Sequence, residues 1–387
     1  MRSFIHTPIA ALAALVFLTG MACSGDVLTD VTDEVVIDRV ASEEATFRVV
    51  QLAEGLEHPW AVAWLPDGAM LITERLGRLN LMRNGEITQV SGLPEIEARG
   101  QGGLLDIAPH PAYADNGWIY FTYSALGDGG TATMLARAQL DGSALTDLEV
   151  LYEQTPAVRP GRHYGSRIGF LPDGTIVFSI GDRGQRERAQ QPNDPSGSVL
   201  RLHMDGSIPD DNPWVGDDDY RPELYTMGNR NQQGLIVHPA TGQIWAHEHG
   251  PRGGDELNLI EAGQNYGWPE ASYGNEYRSN APIGVDPDET DMFVRPVTQW
   301  TPSIAPSGLA YYEGDAFPGW QGNLFVGALA YQQINRVVLD GEEVVHKEVL
   351  LDNQLGRIRD VRTGPDGLLY VLTDASDGGL FRMEPVE

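Results

Sequence analysis

The stretch LPDGTIVFSIGDRG, residues 171–184, joins an Asp-Gly turn to a strand rich in β-branched and aromatic residues, and similar units recur along the chain. There are six such units: LPDGAMLITER (65–75), ADNGWIYFTYS (114–124), residues 171–184 themselves, HPATGQIWAHEHG (238–250), FPGWQGNLFVGAL (317–329) and GPDGLLYVLTD (364–374). Asp, Asn and Gly tolerate the positive φ of tight turns, while Val, Ile, Phe, Tyr and Trp suit a half-buried pleated strand. The repeat therefore predicts hairpins rather than helices.

A unit of this size cannot bury its own apolar face, so its regular repetition indicates a radial or solenoid architecture. A parallel β-helix would need shorter and more uniform repeats. We therefore expect an all-β fold, a six-bladed β-propeller with about four strands in each blade. The segment FRVVQLAEGL (47–56) is predicted to close the ring beside LFRMEP (380–385).

Composition agrees with one turn-rich globular domain over residues 47–387. The chain has 387 residues, with 45 Gly, 25 Pro and 41% hydrophobic residues, enough for a buried core. Its formal net charge of −29 excludes nucleic acid and anionic membrane surfaces as partners, because both would repel it. The same acidity favours cation binding.

The N-terminus predicts export. Residues 1–22 place Arg2 before a short apolar stretch, which is typical of a signal peptide. The mature protein is therefore expected in the periplasm. Cys23, the only cysteine, is either an incidental thiol or the lipidated first residue of an outer-membrane lipoprotein, which would be its one means of membrane anchoring. Residues 23–46 are polar and acidic and predict a tether.

Polar residues precede several predicted strands, and propeller loops at one end of the channel bring such residues together. The four clusters are Gln101 in ARGQGGLLDIAPHP (98–111), His163 and Arg167 in GRHYGSR (161–167), Arg230 and Asn231 in MGNRNQQGLIVHP (227–239), and Arg357 and Arg359 in GRIRDV (356–361). Arginines from separate blades indicate an anionic ligand, since the guanidinium fork suits carboxylates. The alternative is that they neutralise acidic neighbours.

A histidine such as His163 can be a general base, a metal ligand or a packed polar residue. Its place in a Gly- and Arg-rich loop ahead of a strand favours the first of these. The segment HEHGPRGGDELNLIEAGQNYGWP (247–269) supplies carboxylates and turn carbonyls, which are the oxygen donors that calcium requires. The alternative there is a loop held by its own Asp and Asn side chains. The His-Glu-His run at 247–249 imitates a zinc site, but no third ligand is evident.

These motifs, with LRLHMDGSIPDDNP (200–213), SIGDRG and NYGWP in the same order, resemble the glucose/sorbosone dehydrogenase family of quinoproteins, in particular its bacterial aldose sugar dehydrogenase branch. The resemblance covers about residues 47–385. It implies a six-bladed propeller that binds pyrroloquinoline quinone (PQQ) and calcium. It also implies oxidation of aldose sugars at the anomeric carbon to lactones, with electrons passing to an external quinone or redox protein.

The resemblance also implies roles for single residues. His163 matches the general base that takes the sugar hydroxyl proton. Matches to positions that hold PQQ are Gln101, Arg230, Asn231, Arg357 and Arg359, with Ser303 as a cofactor or substrate contact. The matches to calcium positions are Gly250 and Pro251, through carbonyls at the cofactor, and Glu256 and Tyr266, at a site in the same loop region.

One position departs from the family pattern. A lysine that helps to bind PQQ in glucose-oxidising relatives is replaced by Ala330, and Tyr331, Gln332 or Gln333 are candidates to take over its contact. Two other functions stay open at this point. A calcium-dependent lactonase on the same architecture would need central carboxylates but no arginines from separate blades, and a non-catalytic carbohydrate-binding propeller would be compatible with Ala330.

Overall fold

The computed structural model describes residues 30–386, whose strands form six antiparallel sheets. The predicted signal peptide, Cys23 and the first part of the predicted tether lie outside these residues. The sheets are the blades of a propeller, as the repeat predicts, and regular helix is confined to a few single turns. The helical segments are α1 (Tyr113–Asn116) and three 3₁₀ turns at Arg186–Gln190, Pro287–Glu289 and Pro318–Trp320. Among the described residues no helix is long and apolar enough to cross a membrane.

The strands are numbered in chain order, and the first two belong to the last blade. Those two are β1 (Asp30–Ala41) and β2 (Thr46–Leu56). Blade one contains β3 (Pro59–Trp64), β4 (Met70–Glu74), β5 (Arg78–Arg83) and β6 (Glu86–Val90). Blade two contains β7 (Leu104–Pro109), β8 (Trp118–Gly127), β9 (Gly130–Asp141) and β10 (Ala144–Glu153). Blade three contains β11 (Ile168–Phe170), β12 (Thr175–Ile180) and β13 (Ser198–His203).

The remaining blades complete the ring. Blade four contains β14 (Gln232–Val237), β15 (Ile244–Glu248), β16 (Asp255–Ile260) and β17 (Thr298–Trp300). Blade five contains β18 (Pro306–Tyr311), β19 (Leu324–Ala328), β20 (Gln333–Asp340) and β21 (Glu343–Leu350). Blade six contains β22 (Ile358–Thr363), β23 (Leu369–Thr373) and β24 (Gly378–Pro385), joined by β2 and β1 in the order β1-β2-β24-β23-β22.

Each of the six sequence repeats is the turn into, and the body of, the second strand of one blade. In three blades the turn is an Asp-Gly pair whose glycine has positive φ, as at Gly174 with φ +83°. There the Asp173 carboxylate accepts a hydrogen bond from the Thr175 amide at 2.9 Å. The turn residues of each repeat therefore mark the start of the second strand of a blade. Because each blade has one such strand, the number of repeats equals the number of blades.

The predicted closing strand is confirmed. Strand β2 pairs antiparallel with β24, with Phe47 opposite Pro385 and Leu56 opposite Gly378. Because this pairing places an N-terminal strand inside the last blade, the first and last parts of the propeller share one sheet. Six clusters of buried apolar side chains fill the spaces between successive blades, so the core is a ring rather than a single centre.

The tether prediction is wrong for residues 30–41, which form strand β1 against β2. The reason is that Ile37 and Val40 pack on the core between blades five and six, while the acidic side chains of this edge strand face solvent. Just beyond it, the Glu43 carboxylate contacts both Arg336 (3.1 Å) and His346 (2.8 Å) of blade five. This part of the chain is thus held to the propeller at two places.

A buried ion-pair network crosses the channel. Its four members are Asp106, Arg167, Asp360 and Arg362. The Arg167 guanidinium lies 3.4 Å from Asp106 and 3.0 Å from Asp360, and Arg362 contacts the same two carboxylates at 2.7 and 2.9 Å. Since these residues come from the innermost strands of blades two and six and the start of blade three, the network ties three blades together below the candidate site.

Candidate active site

The loops that lead into the first strands of the blades lie at one end of the channel and line three adjoining cavities there. We name them by their chemistry. The arginine cavity, ≈ 350 Å³, is lined by Gln101, Asn231, Arg357 and Arg359 together with Trp60, Arg75, Tyr164, Gln233, His249 and Asp374. The histidine cavity, ≈ 330 Å³, is lined by Gln101, His163, Arg230 and Pro251 together with Arg162, Asp182, Arg186, Trp268, Glu276 and Tyr277. The carboxylate cavity, ≈ 10 Å³, is lined by Glu248, Gly250, Glu256 and Tyr266, among others.

Most of the residues singled out in the sequence thus meet at one place. Gln101 lines both larger cavities, and Arg230 and Trp268 line both the histidine and the carboxylate cavity. The side chain of Gln101 also accepts a hydrogen bond from the backbone amide of His163 at 2.7 Å. The histidine cavity therefore shares a wall with the arginine cavity and another with the carboxylate cavity.

His163 is held by Asp182. Its Nδ1 lies 2.6 Å from Asp182 Oδ1, and Asp182 also accepts hydrogen bonds from the Gly184 amide (2.6 Å) and the Trp268 indole (2.8 Å). Burial alone would raise the pKa of Asp182, but the hydrogen bond from His163 and the charge of Arg230 hold that pKa below its usual value. An ionised carboxylate can only accept, so Nδ1 carries the imidazole proton and Nε2 is left as a free base.

The imidazole is neutral at neutral pH. Burial lowers the pKa of His163 below its usual 6.5, and the positive charges of Arg230 and Arg162 act in the same direction. The hydrogen bond to Asp182 opposes this shift without cancelling it. A neutral histidine with its free nitrogen in a cavity has the properties of a general base.

The backbone around His163 is strained into position. His163 has φ +54°, in the left-handed region that side-chain-bearing residues rarely adopt. A Cβ atom at Gly181 would lie 2.3 Å from the His163 carbonyl oxygen, so only glycine lets the loop pack against the end of β12. Strain held in this way is typical of functional loops.

Asp374 organises the arginine cavity. Its carboxylate lies 3.1 Å from Arg359, 3.3 Å from Arg357 and 2.9 Å from His58 Nδ1. Burial alone would raise its pKa, but the charges of Arg359 and Arg357 and the hydrogen bond with His58 hold the pKa of Asp374 well below its usual range. Arg357 and Arg359 share one face of the extended segment, as their alternation predicts. The guanidinium of Arg75, in contrast, has no carboxylate within 4 Å among residues 30–386, so the cavity carries excess positive charge.

Two buried carboxylates face each other at the carboxylate cavity. Glu248 and Glu256 are opposite each other in the register of β15 and β16. Burial raises the pKa of both groups, and the proximity of Glu248 raises that of Glu256 further. Nearby in the same sheet, the side-chain amide atoms of Gln232 and the Oδ1 atom of Asn258 have no hydrogen-bond partner among residues 30–386. Glu248 already accepts hydrogen bonds from the Arg230 and Asn231 amides and from the Asn229 side chain, whereas Glu256 accepts one long hydrogen bond, from Asn258 at 3.4 Å. The oxygens with spare acceptor capacity, above all those of Glu256, indicate a place for a hard cation.

The His-Glu-His run does not form a zinc site. His247 Nε2 lies 3.2 Å from the Gly308 carbonyl and His249 Nε2 lies 2.7 Å from the Pro306 carbonyl, so both rings bridge to blade five. In the part of the chain that the structure describes, no group of three His, Cys, Asp or Glu side chains could hold a metal ion. A calcium site here must therefore use amide and carbonyl oxygens alongside the two glutamates.

Two of the predictions are not reproduced as contacts with the cavities. The Ser303 hydroxyl lies 2.8 Å from both oxygens of Asp255, and it is Ala305, two residues later, that lines the arginine cavity. Ala330, which replaces the family lysine, does not line the arginine cavity; the residue before it, Leu329, does. The Leu329 carbonyl accepts a hydrogen bond from Arg357 at 3.1 Å. Ala330 itself is exposed.

Several residues of the site were not found from the sequence. Asp182 and Asp374 follow the second strands of blades three and six, and Trp268 comes from the NYGWP motif. A carboxylate at the end of a repeat unit, just beyond its strand, could have signalled the first two. Trp60 carried no such signal, because its place in the arginine cavity, beneath the Arg167 guanidinium at 4.1 Å from its ring centre, depends on contact between distant blades.

A propeller whose channel loops join a histidine–aspartate pair to an arginine-lined cavity is built as an enzyme rather than as a passive scaffold. The family model for Glucose / Sorbosone dehydrogenase matches residues 56–382. The chain is 41% identical to aldose sugar dehydrogenase YliI of Escherichia coli (strain K12), over 88% of this chain and 94% of that relative. It is 30% identical to quinoprotein glucose dehydrogenase B of Acinetobacter calcoaceticus, over 84% and 85% of the two chains. The protein therefore belongs to the glucose/sorbosone dehydrogenase family, as its motifs indicate.

Solved structures agree. The apo form of the soluble Escherichia coli aldose sugar dehydrogenase superimposes with a TM-score of 0.85 at 39% identity, covering 88% of this chain and all (100%) of that one. The PQQ-bound form of aldose sugar dehydrogenase from Streptomyces coelicolor gives a TM-score of 0.70 at 25% identity, covering 92% and 99%.

Proposed function

We propose that this PQQ-dependent oxidoreductase oxidises aldose sugars at the anomeric carbon to lactones, with His163 as the general base and calcium as a second cofactor. The relatives named as aldose sugar and quinoprotein glucose dehydrogenases support the reaction class and the cofactor. The observation that carries the proposal is the His163–Asp182 pair, which leaves Nε2 free in a cavity beside the arginine cavity. Electrons would leave through an external acceptor.

The arginine cavity suits PQQ. Its ≈ 350 Å³ falls within the range of small-ligand pockets. Arg75, Arg357 and Arg359 would hold the cofactor's carboxylates, because within residues 30–386 Asp374 is the one carboxylate that pairs with these arginines, and it contacts Arg357 and Arg359. Asn231 is held in place on the same wall, since its side-chain oxygen accepts from the Gly165 amide at 3.2 Å. When bound, PQQ supplies an acceptor for the hydride that leaves the sugar carbon.

The protein's own part in the reaction is proton transfer and orientation. His163 Nε2 takes the proton from the hydroxyl on the anomeric carbon as the carbon–hydrogen bond breaks, so a carbon–oxygen double bond forms. The imidazolium that results is stabilised by ionised Asp182, which Trp268 and Gly184 hold in place by hydrogen bonds. Trp268 and Tyr277 provide the aromatic surface of the same cavity.

Calcium fits the donor set around Glu256. The space of ≈ 10 Å³ is enough for one ion or water, and Glu248 and Glu256 supply carboxylates. Tyr266 would contribute its carbonyl, because its hydroxyl already donates to the Leu259 carbonyl at 2.6 Å. Gly250 and Pro251 carbonyls would serve a calcium at the cofactor, where a cation stabilises developing negative charge.

The proposal is tested by titrating metal-stripped protein with PQQ, with and without calcium, and then measuring dye reduction on a panel of aldoses. We expect saturable, calcium-dependent activity. His163→Asn should bind PQQ normally but lose most turnover, whereas His203→Asn, at an exposed histidine away from the cavities, should match the wild type. Near-normal activity of His163→Asn would remove the proposed base. Hydrolysis of lactones without PQQ would favour a lactonase instead.

A further inference from the structure

The histidine cavity carries an arginine that the proposed reaction does not use. Arg162 lines this cavity next to His163. Its guanidinium makes one long hydrogen bond, to the Gly184 carbonyl at 3.4 Å. Within residues 30–386, no carboxylate lies within 4 Å of it. Arg162 is exposed to solvent and lines the cavity without a counter-ion, so in a chain of net charge −29 it is available to bind an anionic partner.

The fold builds this position rather than leaving it to chance. Arg183 is buried, stacks on the Tyr164 ring at 3.7 Å and donates to the carbonyls of Arg162 (3.1 Å) and Pro160 (3.0 Å). The backbone on both sides of Arg162 is therefore fixed. Gly184, which has φ +70°, lies directly beside the Arg162 guanidinium, since a Cβ atom there would be 2.1 Å from Arg162 Nε.

Two of the other charged groups of the cavity, Arg186 and Asp182, already have charged or hydrogen-bonding partners. Arg186 forms a bidentate pair with Glu276 at 2.7 and 3.2 Å. Asp182 is engaged with His163, and His163 itself is neutral at neutral pH. The Arg230 guanidinium has no carboxylate within 4 Å among residues 30–386, but it donates to the His249 carbonyl at 2.8 Å and is buried in the wall shared with the carboxylate cavity. Arg162 is thus the exposed cation without a carboxylate partner in this cavity, whereas Arg230 is buried in its wall.

We propose that Arg162 selects aldoses that carry a carboxylate, so that the preferred substrate class is uronic acids. This inference rests on the proposed function. The anomeric carbon would lie at His163 Nε2 while the carboxylate pairs with Arg162, whose planar fork matches carboxylate geometry. The reaction stays a two-electron oxidation. The anomeric carbon loses a hydride to the bound quinone, its hydroxyl loses a proton to His163, and the product is the lactone of an aldaric acid.

The test compares kcat/KM of the PQQ- and calcium-loaded enzyme for D-glucuronate and D-glucose, and for D-galacturonate and D-galactose. We expect the wild type to favour each uronate at least about tenfold, and Arg162→Gln to lower that ratio by about 10- to 100-fold. The loss should appear in KM, because the carboxylate contact is the same before and during the transition state. Arg159→Gln, which removes an exposed arginine three residues away and outside the cavity, should leave the ratio unchanged.

Charge reversal and cofactor binding complete the test. Arg162→Glu should favour D-glucosamine over D-glucuronate. A wild type without uronate preference, or equal ratios in Arg162→Gln and Arg159→Gln, would overturn the inference. Oxidation of glucose in the same assay would leave the proposed function standing.

Weaker PQQ binding by Arg162→Gln with an unchanged sugar ratio would assign Arg162 to the cofactor instead. Preference for glucose 6-phosphate over glucuronate would show that the cavity selects phosphate rather than carboxylate. If no aldose is oxidised, the proposed function fails, and calorimetry with D-glucuronate and D-glucose then decides the inference separately.

Discussion

His163 Nδ1 lies 2.6 Å from Asp182 Oδ1, and this contact decides which nitrogen of the imidazole faces the substrate. The Asp182 carboxylate accepts three hydrogen bonds, from His163, Gly184 and Trp268. The His163–Asp182 pair therefore keeps Nε2 free only while the side chain at position 182 accepts hydrogen bonds and donates none. The sequence separates the two residues by 19 positions, but the end of β12 brings them together at the rim of blade three.

We predict that Asp182→Asn lowers kcat by about 10²- to 10⁴-fold. An amide must turn its NH₂ group toward either His163 or Trp268, and facing His163 it would move the imidazole proton to Nε2, which could then no longer accept a proton. Binding of PQQ should change little, because Asp182 lines the histidine cavity and not the arginine cavity. Asp67→Asn at an exposed turn serves as the control. Unchanged turnover would mean that Asp182 does not set the tautomer.

The pH dependence of kcat/KM should have an acid limb below pH 6.5. His163 acts as a base only when neutral, and burial with Arg230 and Arg162 lowers its pKa beneath that usual value. Activity is therefore present at neutral pH and lost as pH falls through the lowered pKa. Removing the positive charge of Arg162 and removing the negative charge of Asp182 should shift this acid limb in opposite directions. Arg162→Gln should move the limb to higher pH, and Asp182→Asn should move any remaining limb to lower pH. Limbs that do not move would show that another group titrates.

The sequence predicts the ring of blades well because its signal is local. A turn such as Asp173-Gly174 and the strand that follows it form from neighbouring residues, and six copies leave few architectures open. Strand β1 was missed because its acidic, exposed face hid the few apolar residues, among them Ile37 and Val40, that pack on the core. Local composition could not reveal that pairing with β2 would order it.

The site was predictable in part for the same reason. Gln101, His163 and Arg230 stand at strand-leading loops, and that position alone brings them to one end of the channel. Asp374 could not be assigned in this way, since its role depends on His58 and two arginines that reach it across blade six. The position of Ser303 in a loop did not predict its contacts, because its hydroxyl donates to Asp255 and does not line the cavity.

We predict that calcium raises the melting temperature of the wild type but not that of Glu256→Gln. Without metal, a buried carboxylate whose pKa is raised is a liability, so the neutral amide should leave the metal-free protein at least as stable as the wild type. With calcium at about 100 times its Kd, binding should add about 2.7 kcal/mol to the stability of the wild type. Scanning calorimetry with calcium and with chelator measures both effects.

Glu261→Gln provides the matched control, because Glu261 is an exposed carboxylate just beyond the end of β16. It should keep the full response to calcium. An equal loss of response in both variants would indicate diffuse binding to the acidic surface, and a full response in Glu256→Gln would place the ion elsewhere. The comparison separates a built site from the general attraction of an acidic protein for cations.

The last prediction concerns the ion-pair network below the site. Asp106→Asn should destabilise the protein by about 3–5 kcal/mol, because it leaves two guanidiniums, buried Arg167 and partly buried Arg362, with the single carboxylate of Asp360. The exposed pair of Asp67 and Arg83 offers the comparison, since Asp67→Asn there should cost about 1 kcal/mol or less. Urea unfolding measures both changes.

This network should also matter to the cofactor. Arg167 stacks on Trp60 and donates to the Gln233 carbonyl at 2.6 Å, and both of those residues line the arginine cavity. Asp106→Asn should therefore weaken PQQ binding at temperatures where the protein remains folded, although Asp106 lies outside that cavity's lining. Lower stability with unchanged PQQ affinity would show that the network holds the blades together without shaping the site. Unchanged stability would mean that the apolar clusters between blades suffice to hold the ring closed.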